Sequence, residues 1–394
     1  MRRNRIIYIV VVLGLLVLSI TYQSRVASVL LTASLLYPLA AVPAVLICSR
    51  LAQVGFSDGQ DDRRTGTIRL VRSKGERFDI WIYIRSRSVL PFAPIELECN
   101  LPDRDSGLFS AKRVYASVPP FGSCRISVPA MHRYRGAYIA QVSRISMYDP
   151  LRVIRIRRRI SADATLIFLP RRLEIGEIDG AAHGENSASV VSLLSGERED
   201  FSHVREYLTG DIMQLVHWKL TAKQDELMIK QFDETTECRN AVLCDYRFEG
   251  DMSSIMRRSD AVIEAAAALA LSSARAGVEC TVDLGEWSGE HRTEIKDMAD
   301  FERLFSLLAV LPSRLDVMDF TELVGGYIRR GYATLFLVTS SLTEQVIALA
   351  DLAAENFGGQ VALVWLSLGA RSDLEVQAQE RSFVFLPVYD KMEI

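Results

Sequence analysis

Several features that indicate catalysis or metal binding are missing from this sequence. Its six cysteines form no C-x-x-C pair and have no regular spacing, which argues against a zinc site and against a disulfide framework. They are interpreted as reduced, structural thiols, which are typical of a cytoplasmic location. No G-x-x-x-x-G-K-S/T loop is present, so no ATP site of the Walker type is predicted. A formal net charge of -3 gives no indication of nucleic-acid binding.

Histidine is scarce, with five in 394 residues, and none of them lies in a recognisable hydrolase motif. The five are His132, His183, His203, His217 and His291. A thiol hydrolase needs a cysteine whose thiolate is favoured by an adjacent histidine. Cys238 and Cys244 border a predicted strand, where small buried thiols are common. We therefore expect a non-enzymatic protein without a cofactor. An envelope-linked hydrolase that depends on a thiol or a metal is kept as the alternative.

Two apolar runs open the chain. Residues 6–20 and 26–48 carry no charge, and together they predict a transmembrane hairpin of two helices within residues 1–50. The first run is short enough for a signal peptide, but the second run follows at once and argues against removal. Pro38 and Pro43 are expected to kink the second helix.

The arginines around these runs predict the orientation in the membrane. Three of them (Arg2, Arg3 and Arg5) precede the pair and three (Arg50, Arg63 and Arg64) follow it, whereas Arg25 lies alone in the turn. Positive residues favour the cytoplasmic side, so both ends of the hairpin are predicted to face the cytoplasm. The remaining chain is then cytoplasmic, anchored to the inner membrane.

A β-rich region follows a polar segment, 51–66, that is interpreted as a linker. Over residues 67–170, seven short strand patterns recur between turn residues and predict a small antiparallel β-sandwich. In one of them Phe78, Ile80, Ile82 and Ile84 share a face. A run of arginines near its end is interpreted as a solvated edge strand that uses charge against aggregation, with anionic lipid head groups as the alternative partner. The run comprises Arg152, Arg155, Arg157, Arg158 and Arg159.

Residues 171–200 are rich in Gly, Ser, Ala and Glu, have no periodicity and predict a flexible loop, in which His183 is expected to be an ordinary surface residue. From residue 238 to 394 strands and helices alternate, which predicts an α/β domain with a parallel sheet. One alanine-rich helix is expected to be capped by Ser259 and to end at Gly277.

The segment 201–237 lies between the β-rich half and the α/β half. Asp211 and Gln214 have the spacing of a capping box, which predicts a helix that begins at Asp211. Ile212, Leu215, Val216 and Leu220 would form its apolar stripe. The residues from Leu227 to Phe232 alternate and predict a strand.

This segment closely resembles a family signature. REYLTGD, VHWKLTAK and LMIKQFDE are similar to R-E-Y-x-x-G-D, I-H-W-K-x-T-A-R and L-x-V-K-x-F-E of the bacterial family known as domain of unknown function 58. A second block, HRYRGAYIAQVSRISMYDPLRVIRIRRRI, resembles the R-x-R-G-x-Y and S-x-D-P-F-G-L-F segments of that family, with YDPLRVI as a degenerate end. The resemblance implies that the α/β domain is von Willebrand factor A-like, of the Rossmann type. It also implies a MoxR-type AAA+ ATPase as partner, in the assembly or maturation of complexes at the cell envelope.

The signature residues have two open interpretations. They either lock the segment onto the α/β domain, or form a docking face centred on Trp218, His217 and Lys219. The full set is Arg205, Glu206, Tyr207, Gly210, Asp211, His217, Trp218, Lys219, Thr221 and Lys230.

A-type domains commonly hold a divalent cation through D-x-S-x-S after the first strand, as the resemblance would imply here. The matching place begins at Asp245, but Arg247 and Glu249 stand where the two hydroxyls are needed. After the later strand pattern LFLV, Thr339 stands where an aspartate would follow. We predict a degenerate site without metal, in which Asp245 forms a salt bridge with Arg247 or a nearby arginine.

Overall fold

The structure is a computed structural model that describes residues 2–57, 68–88, 95–173, 203–206, 228–231, 239–286, 292–367 and 374–389. The chain divides into two compact units, Met1–Leu169 and Pro170–Ile394. The first unit holds two apolar helices and two β-sheets, and the second holds a mostly parallel sheet with helices. The predicted multidomain layout, with two apolar helices followed by sheets and helices, is confirmed at this level.

The first unit begins with a pair of helices, α1 (Arg2–Tyr22) and α2 (Arg25–Leu51). Among the described residues these two are long and apolar enough to cross a membrane, by length and composition. Near the turn between them the hydroxyls of Ser19 and Ser28 lie 2.9 Å apart. Further from the turn, the Tyr8 hydroxyl donates to the carbonyl of Ser34. The two helices therefore pack antiparallel along their length.

Eight strands are described in the first unit. They are β1 (Ala52–Ser57), β2 (Ile68–Ser73), β3 (Phe78–Ser86), β4 (Ile95–Pro102), β5 (Phe109–Ala116), β6 (Ser123–Ala130), β7 (Gly136–Tyr148) and β8 (Arg155–Leu169). Three of them form a sheet in the order β1-β3-β6, and five form a sheet in the order β2-β8-β7-β4-β5. All neighbours are antiparallel except β2 and β8. Both sheets contribute to one hydrophobic core.

Alternation along the strands explains which face each sheet buries. Ile80, Ile82 and Ile84 of β3 are fully buried, which confirms the predicted apolar face. Val45 and Cys48 of α2 belong to the same core, so the second helix is packed against the sheets. The core therefore joins the helix pair to the β-rich region.

One sequence interpretation differs from the structure of this unit, and another agrees with it. Residues 52–57 lie in the predicted linker but form β1, because this segment pairs with β3 and buries Phe56. The arginine run at the start of β8 pairs with β7, and β2 pairs only with residues 164–169, so among the described strands this run lies at a sheet edge, as predicted. The side chain of Arg155 binds Glu96, and that of Arg158 donates to the Ala52 carbonyl at 2.8 Å.

The second unit contains a six-stranded sheet in the order β13-β12-β11-β14-β15-β16. Its strands are β11 (Arg239–Cys244), β12 (Glu279–Asp283), β13 (Arg292–Ile295), β14 (Thr334–Thr339), β15 (Gln360–Ser367) and β16 (Val384–Tyr389). All pairs are parallel except β12 with β13. A separate antiparallel pair is formed by β9 (His203–Glu206) and β10 (Met228–Gln231).

Five helices of this unit are described: α3 (Met252–Ala276), α4 (Met298–Val310), α5 (Phe320–Ile328), α6 (Glu344–Asn356) and α7 (Leu374–Gln379). α3 ends at Gly277 as predicted, because the φ of 69° there places the residue in the left-handed region that glycine tolerates. The predicted cap at Ser259 is wrong. The helix begins two turns earlier, and the buried Ser259 hydroxyl donates to the Met256 carbonyl at 3.1 Å inside it.

Candidate functional site

Most of the predicted signature residues lie outside the described part of the chain. These are Tyr207, Gly210, Asp211, His217, Trp218, Lys219 and Thr221, together with the helix predicted to begin at Asp211. The backbone is described for Arg205, Glu206 and Lys230. Arg205 lies opposite Ile229, and Lys230 lies opposite Val204, so the two ends of the signature meet in one antiparallel pair. The strand predicted at the end of the signature is thus present as β10.

The second motif block runs from just before β7 into β8, and its first residues pack around a buried histidine. The ring of His132 lies 4.2 Å from that of Tyr138 and 4.8 Å from that of Phe168, centroid to centroid. Burial lowers the pKa of His132, although a hydrogen bond with the Tyr134 carbonyl opposes this shift.

The glycine of this block leaves room for a neighbouring tyrosine ring. Gly136 has a φ of 136°, and a Cβ atom there would come within 3.0 Å of the Tyr138 ring. The Tyr138 hydroxyl donates to the carbonyl of Arg135 at 3.1 Å. The arginine, glycine and tyrosine of the motif therefore shape one turn that seats the aromatic cluster.

The carboxyl edge of the six-stranded sheet gathers the polar residues of the second unit. Asp245 follows β11, and Thr339 ends the neighbouring strand β14. The Thr339 hydroxyl donates to Oδ2 of Asp245 at 2.9 Å and accepts the backbone N–H of Ser341 at 3.1 Å. Parallel strands end at the same edge, which brings together residues 94 positions apart.

Asp245 is a half-buried carboxyl whose pKa is raised. Burial raises its pKa, and the hydrogen bond from Thr339 partly opposes that shift. The Arg247 backbone N–H points to its other oxygen at 3.5 Å. The Asp245 carboxyl is thus held by donors of the protein itself.

The predicted salt bridge between Asp245 and Arg247 is wrong. The Arg247 side chain instead binds Asp319, with Nη1 and Oδ2 3.1 Å apart. Asp319 also caps α5 by accepting the N–H of Thr321 at 3.0 Å. It is half-exposed, so Arg247 reaches it without burying its own charge.

The residues at this edge do not fit a divalent cation held in the usual A-domain geometry. The described residues contain no group of three or more His, Cys, Asp or Glu arranged to bind a metal ion. The two hydroxyl positions after Asp245 carry Arg247 and Glu249, and Thr339 already engages the carboxylate.

Sequence reasoning missed a second carboxylate at the same edge. Asp283 ends β12, accepts the Tyr327 hydroxyl at 2.6 Å and accepts the Gly285 N–H at 2.8 Å. Burial raises the pKa of Tyr327, and the bond to Asp283 adds to the shift. An aspartate directly after a buried strand was the available signal, but its tyrosine partner could not be read from the sequence.

The buried cysteines of this sheet are poor nucleophiles. Burial raises the pKa of Cys244, and the charges of Asp283 and Asp245 raise it further. Burial also raises the pKa of Cys280 to about 12. Both thiols therefore stay protonated at neutral pH, as expected for structural cysteines.

Comparison with protein families identifies the signature. The model of the family described as "Protein of unknown function DUF58" matches residues 203–293. The resemblance to DUF58 is confirmed. The matched DUF58 region runs from β9 to the beginning of β13 and includes Asp245 and Asp283. No curated protein matches the chain.

Solved structures similar to parts of the chain add no functional argument. A PapD-like domain of human CEP192 is 8% identical, covers 30% of this chain and 85% of its own, and has a TM-score of 0.19. The CARDB domain of the PF1109 protein from Pyrococcus furiosus is 10% identical, covers 30% and 93%, and has a TM-score of 0.19. A family 123 glycoside hydrolase from Clostridium perfringens is 10% identical, covers 82% and 73%, and has a TM-score of 0.21.

Proposed function

We propose that this DUF58 protein is a membrane-anchored, non-enzymatic scaffold or adaptor that acts with a MoxR-type AAA+ ATPase. Its role would be the assembly or maturation of envelope-associated complexes. The observation that carries the anchoring is the shared core of the first unit, in which Val45 and Cys48 of an apolar helix are buried with Leu97 and Ile145 of the sheets. The ATPase partner rests on the family resemblance.

The anchor is proposed to lie in the inner membrane with both units in the cytoplasm. Support comes from the arginine bias, since Arg2, Arg3 and Arg5 stand at one end of the helix pair and Arg50 at the other, against Arg25 in the turn. A reporter fused after Ile394 is expected to be active only in the cytoplasm. Periplasmic activity of this fusion would refute the orientation.

The finer fold assignments are proposed on the same basis. Two sheets that contribute to one core support a β-sandwich in the first unit. The order of the six-stranded sheet, with its antiparallel strand β13 at one edge, supports a von Willebrand factor A-like domain in the second.

A binding rather than a catalytic role is favoured by the carboxyl edge. Its carboxylates are satisfied by Thr339 and Tyr327, and the thiol of Cys244 is held protonated by burial. No specific observation favours the hydrolase that the sequence left open.

Docking of the ATPase is proposed to involve the signature face around Trp218. If so, Trp218→Ala should weaken co-purification of the ATPase by about 2 kcal/mol, the size of a typical hot spot. The variant should unfold at the same urea concentration as the wild type. A core role for Trp218 would instead destabilise the protein by roughly 3 to 5 kcal/mol.

Trp81 provides a matched control for this experiment. It is a half-buried tryptophan of β3 in the first unit, so Trp81→Ala removes the same side chain elsewhere. This control should leave co-purification intact. A stably folded Trp218→Ala protein that captures the ATPase as well as the wild type does would refute docking at this face.

A further inference from the structure

The turn between β7 and β8 is fastened to both helices of the apolar pair. Asn4 of α1 donates to the Leu151 carbonyl at 3.2 Å, and the Arg5 side chain donates to the Val153 carbonyl at 2.8 Å. Tyr37 of α2 donates to Asp149 at 2.6 Å. The turn therefore has a fixed position relative to the helices.

Asp149 also fixes the shape of this turn. It is fully buried and accepts the N–H groups of Leu151 at 3.2 Å and Ile154 at 2.6 Å. Arg152 adopts a φ of 54°, in the left-handed region that arginine rarely visits. As a result, Leu151 is held 51% exposed, and Arg152 is exposed beside it.

The attachment points place the turn at a definite distance from the other end of the helix pair. At 1.5 Å per residue, Arg5 lies about 26 Å from Tyr22 at the end of α1, and Tyr37 lies about 18 Å from Arg25 at the start of α2. The hydrocarbon core of a bilayer is about 30 Å thick. If the helices span a bilayer, the turn lies where α1 enters it.

The side chains at this level suit a membrane interface. The rings of Tyr8 and Tyr37 lie 6.2 Å apart, and tyrosines are enriched where the hydrocarbon meets the head groups. Arg2, Arg3 and Arg152 are exposed near the same end of α1. An exposed leucine can enter the acyl boundary of a bilayer, and exposed arginines near it can bind the anionic phosphates of the head groups.

We propose that the turn from Asp149 to Ile154 is a second membrane contact, in which Leu151 enters the acyl boundary and Arg152 binds anionic lipid head groups. This inference rests on the proposed membrane anchoring. The turn would then set how the first unit stands on the membrane, because its tethers to Asn4, Arg5 and Tyr37 prevent it from moving independently of the helices.

The test uses the full chain in lipid nanodiscs with one nitroxide label at a time. Cys124 and Cys238 are replaced by serine, and the remaining four cysteines are buried. Labels are placed at Leu151→Cys, Leu108→Cys and Val11→Cys. Collision with oxygen, which concentrates in lipid, is compared with collision with a water-soluble nickel complex.

Leu108 is the matched control for Leu151. Both are turn leucines, with exposures of 47% and 51%. Ile95 pairs with Met147 at one end of β4, whereas Pro102 pairs with Phe109 at the other, so the two turns lie at opposite ends of this strand. At about 3.3 Å per residue the ends of β4 are about 23 Å apart.

In nanodiscs that contain phosphatidylglycerol, the label at residue 151 should favour oxygen, and the label at 108 should favour nickel. In pure phosphatidylcholine the label at 151 should become at least threefold more accessible to nickel. Arg152→Gln should remove this lipid dependence, while Arg133→Gln, an exposed arginine near the Leu108 turn, should not.

The label at Val11, an exposed residue of α1, separates this inference from the anchoring itself. If the label at residue 11 lies in lipid and the label at residue 151 lies in water, the proposed contact is overturned, while the membrane anchoring still holds. A label in water at 11 would refute the anchoring, and the contact with it. Equal depth at 151 in both lipids would overturn the binding of anionic head groups.

Discussion

Replacing Thr339 by valine tests whether the carboxyl edge is stabilised by the protein's own donors. Valine keeps the volume of threonine but removes the hydroxyl that donates to Asp245 at 2.9 Å and accepts from the Ser341 N–H at 3.1 Å. Thr339 is fully buried, so water cannot replace it without rearrangement. A hydrogen bond to a charged group contributes about 1.5 to 3 kcal/mol, and we expect a loss near 2 kcal/mol.

Cys244 reports this loss because it immediately precedes Asp245 and is buried. A buried thiol reacts only when the surrounding structure opens, so its reaction rate follows the free energy of local unfolding. A loss of 2 kcal/mol should make Cys244 react about 30 times faster, since 1.4 kcal/mol is a factor of ten. The reaction is quantified for each cysteine by mass spectrometry, under native conditions.

Two controls isolate the hydroxyl. Thr339→Ser keeps it and removes one methyl group, which should destabilise by about 0.8 kcal/mol. Cys99, buried in the first unit, should react at the wild-type rate in both variants. If valine and serine accelerate the reaction of Cys244 equally, the hydrogen bond to Asp245 does not stabilise the edge and the reasoning is wrong.

Three further predictions concern titration and metal. Asp245→Asn should stabilise the protein at pH 7. Burial raises the pKa of the Asp245 carboxyl, so the stability that its protonated form contributes is lost as pH rises through the folded-state pKa. The increase in urea midpoint over the wild type should disappear near the unfolded-state pKa of about 3.9. His132 has the opposite pH dependence. Burial lowers its pKa, so the free energy of unfolding should fall as pH drops below about 6.5, by at most about 1.4 kcal/mol per pH unit. His132→Gln should make this fall with pH less steep. Adding Mg²⁺ or Mn²⁺ should leave the thermal midpoint unchanged, whereas a saturable rise would show that a cation binds the native state.

Local patterns in the sequence were enough to predict much of the fold. The period of two in β3 identified the face that Ile80, Ile82 and Ile84 bury. Gly277 marked the end of α3 because a left-handed residue is needed there. Both features depend on residues within a few positions of one another, and the sequence displays such relations directly.

Pairing between distant residues was not predictable in the same way. The segment 52–57 contains few strand-forming residues, and it forms β1 because β3 offers a partner. Arg247 had carboxylates close by in sequence, yet it binds Asp319, 72 residues away. Charge indicates that an arginine needs an acceptor, but only the loops that meet at the sheet edge determine which one it finds.

The two motif blocks differ in what the structure explains. The longer signature overlaps the region that the DUF58 model matches, yet most of it lies outside the described residues, and the position of Trp218 stays a prediction. In the degenerate block YDPLRVI, by contrast, the structure shows what one residue does. Its aspartate binds Tyr37, 112 residues earlier, and fixes the turn that also binds α1.

A buried carboxylate is costly unless donors surround it, and Asp149 has a tyrosine hydroxyl and two backbone N–H groups. Those donors belong both to the turn and to α2, so the charge is stabilised only while the turn and the helix remain together. Separating them would leave the carboxylate without the Tyr37 hydroxyl, at the level proposed for the membrane surface. The aspartate therefore couples the conformation of the turn to the position of the helix pair.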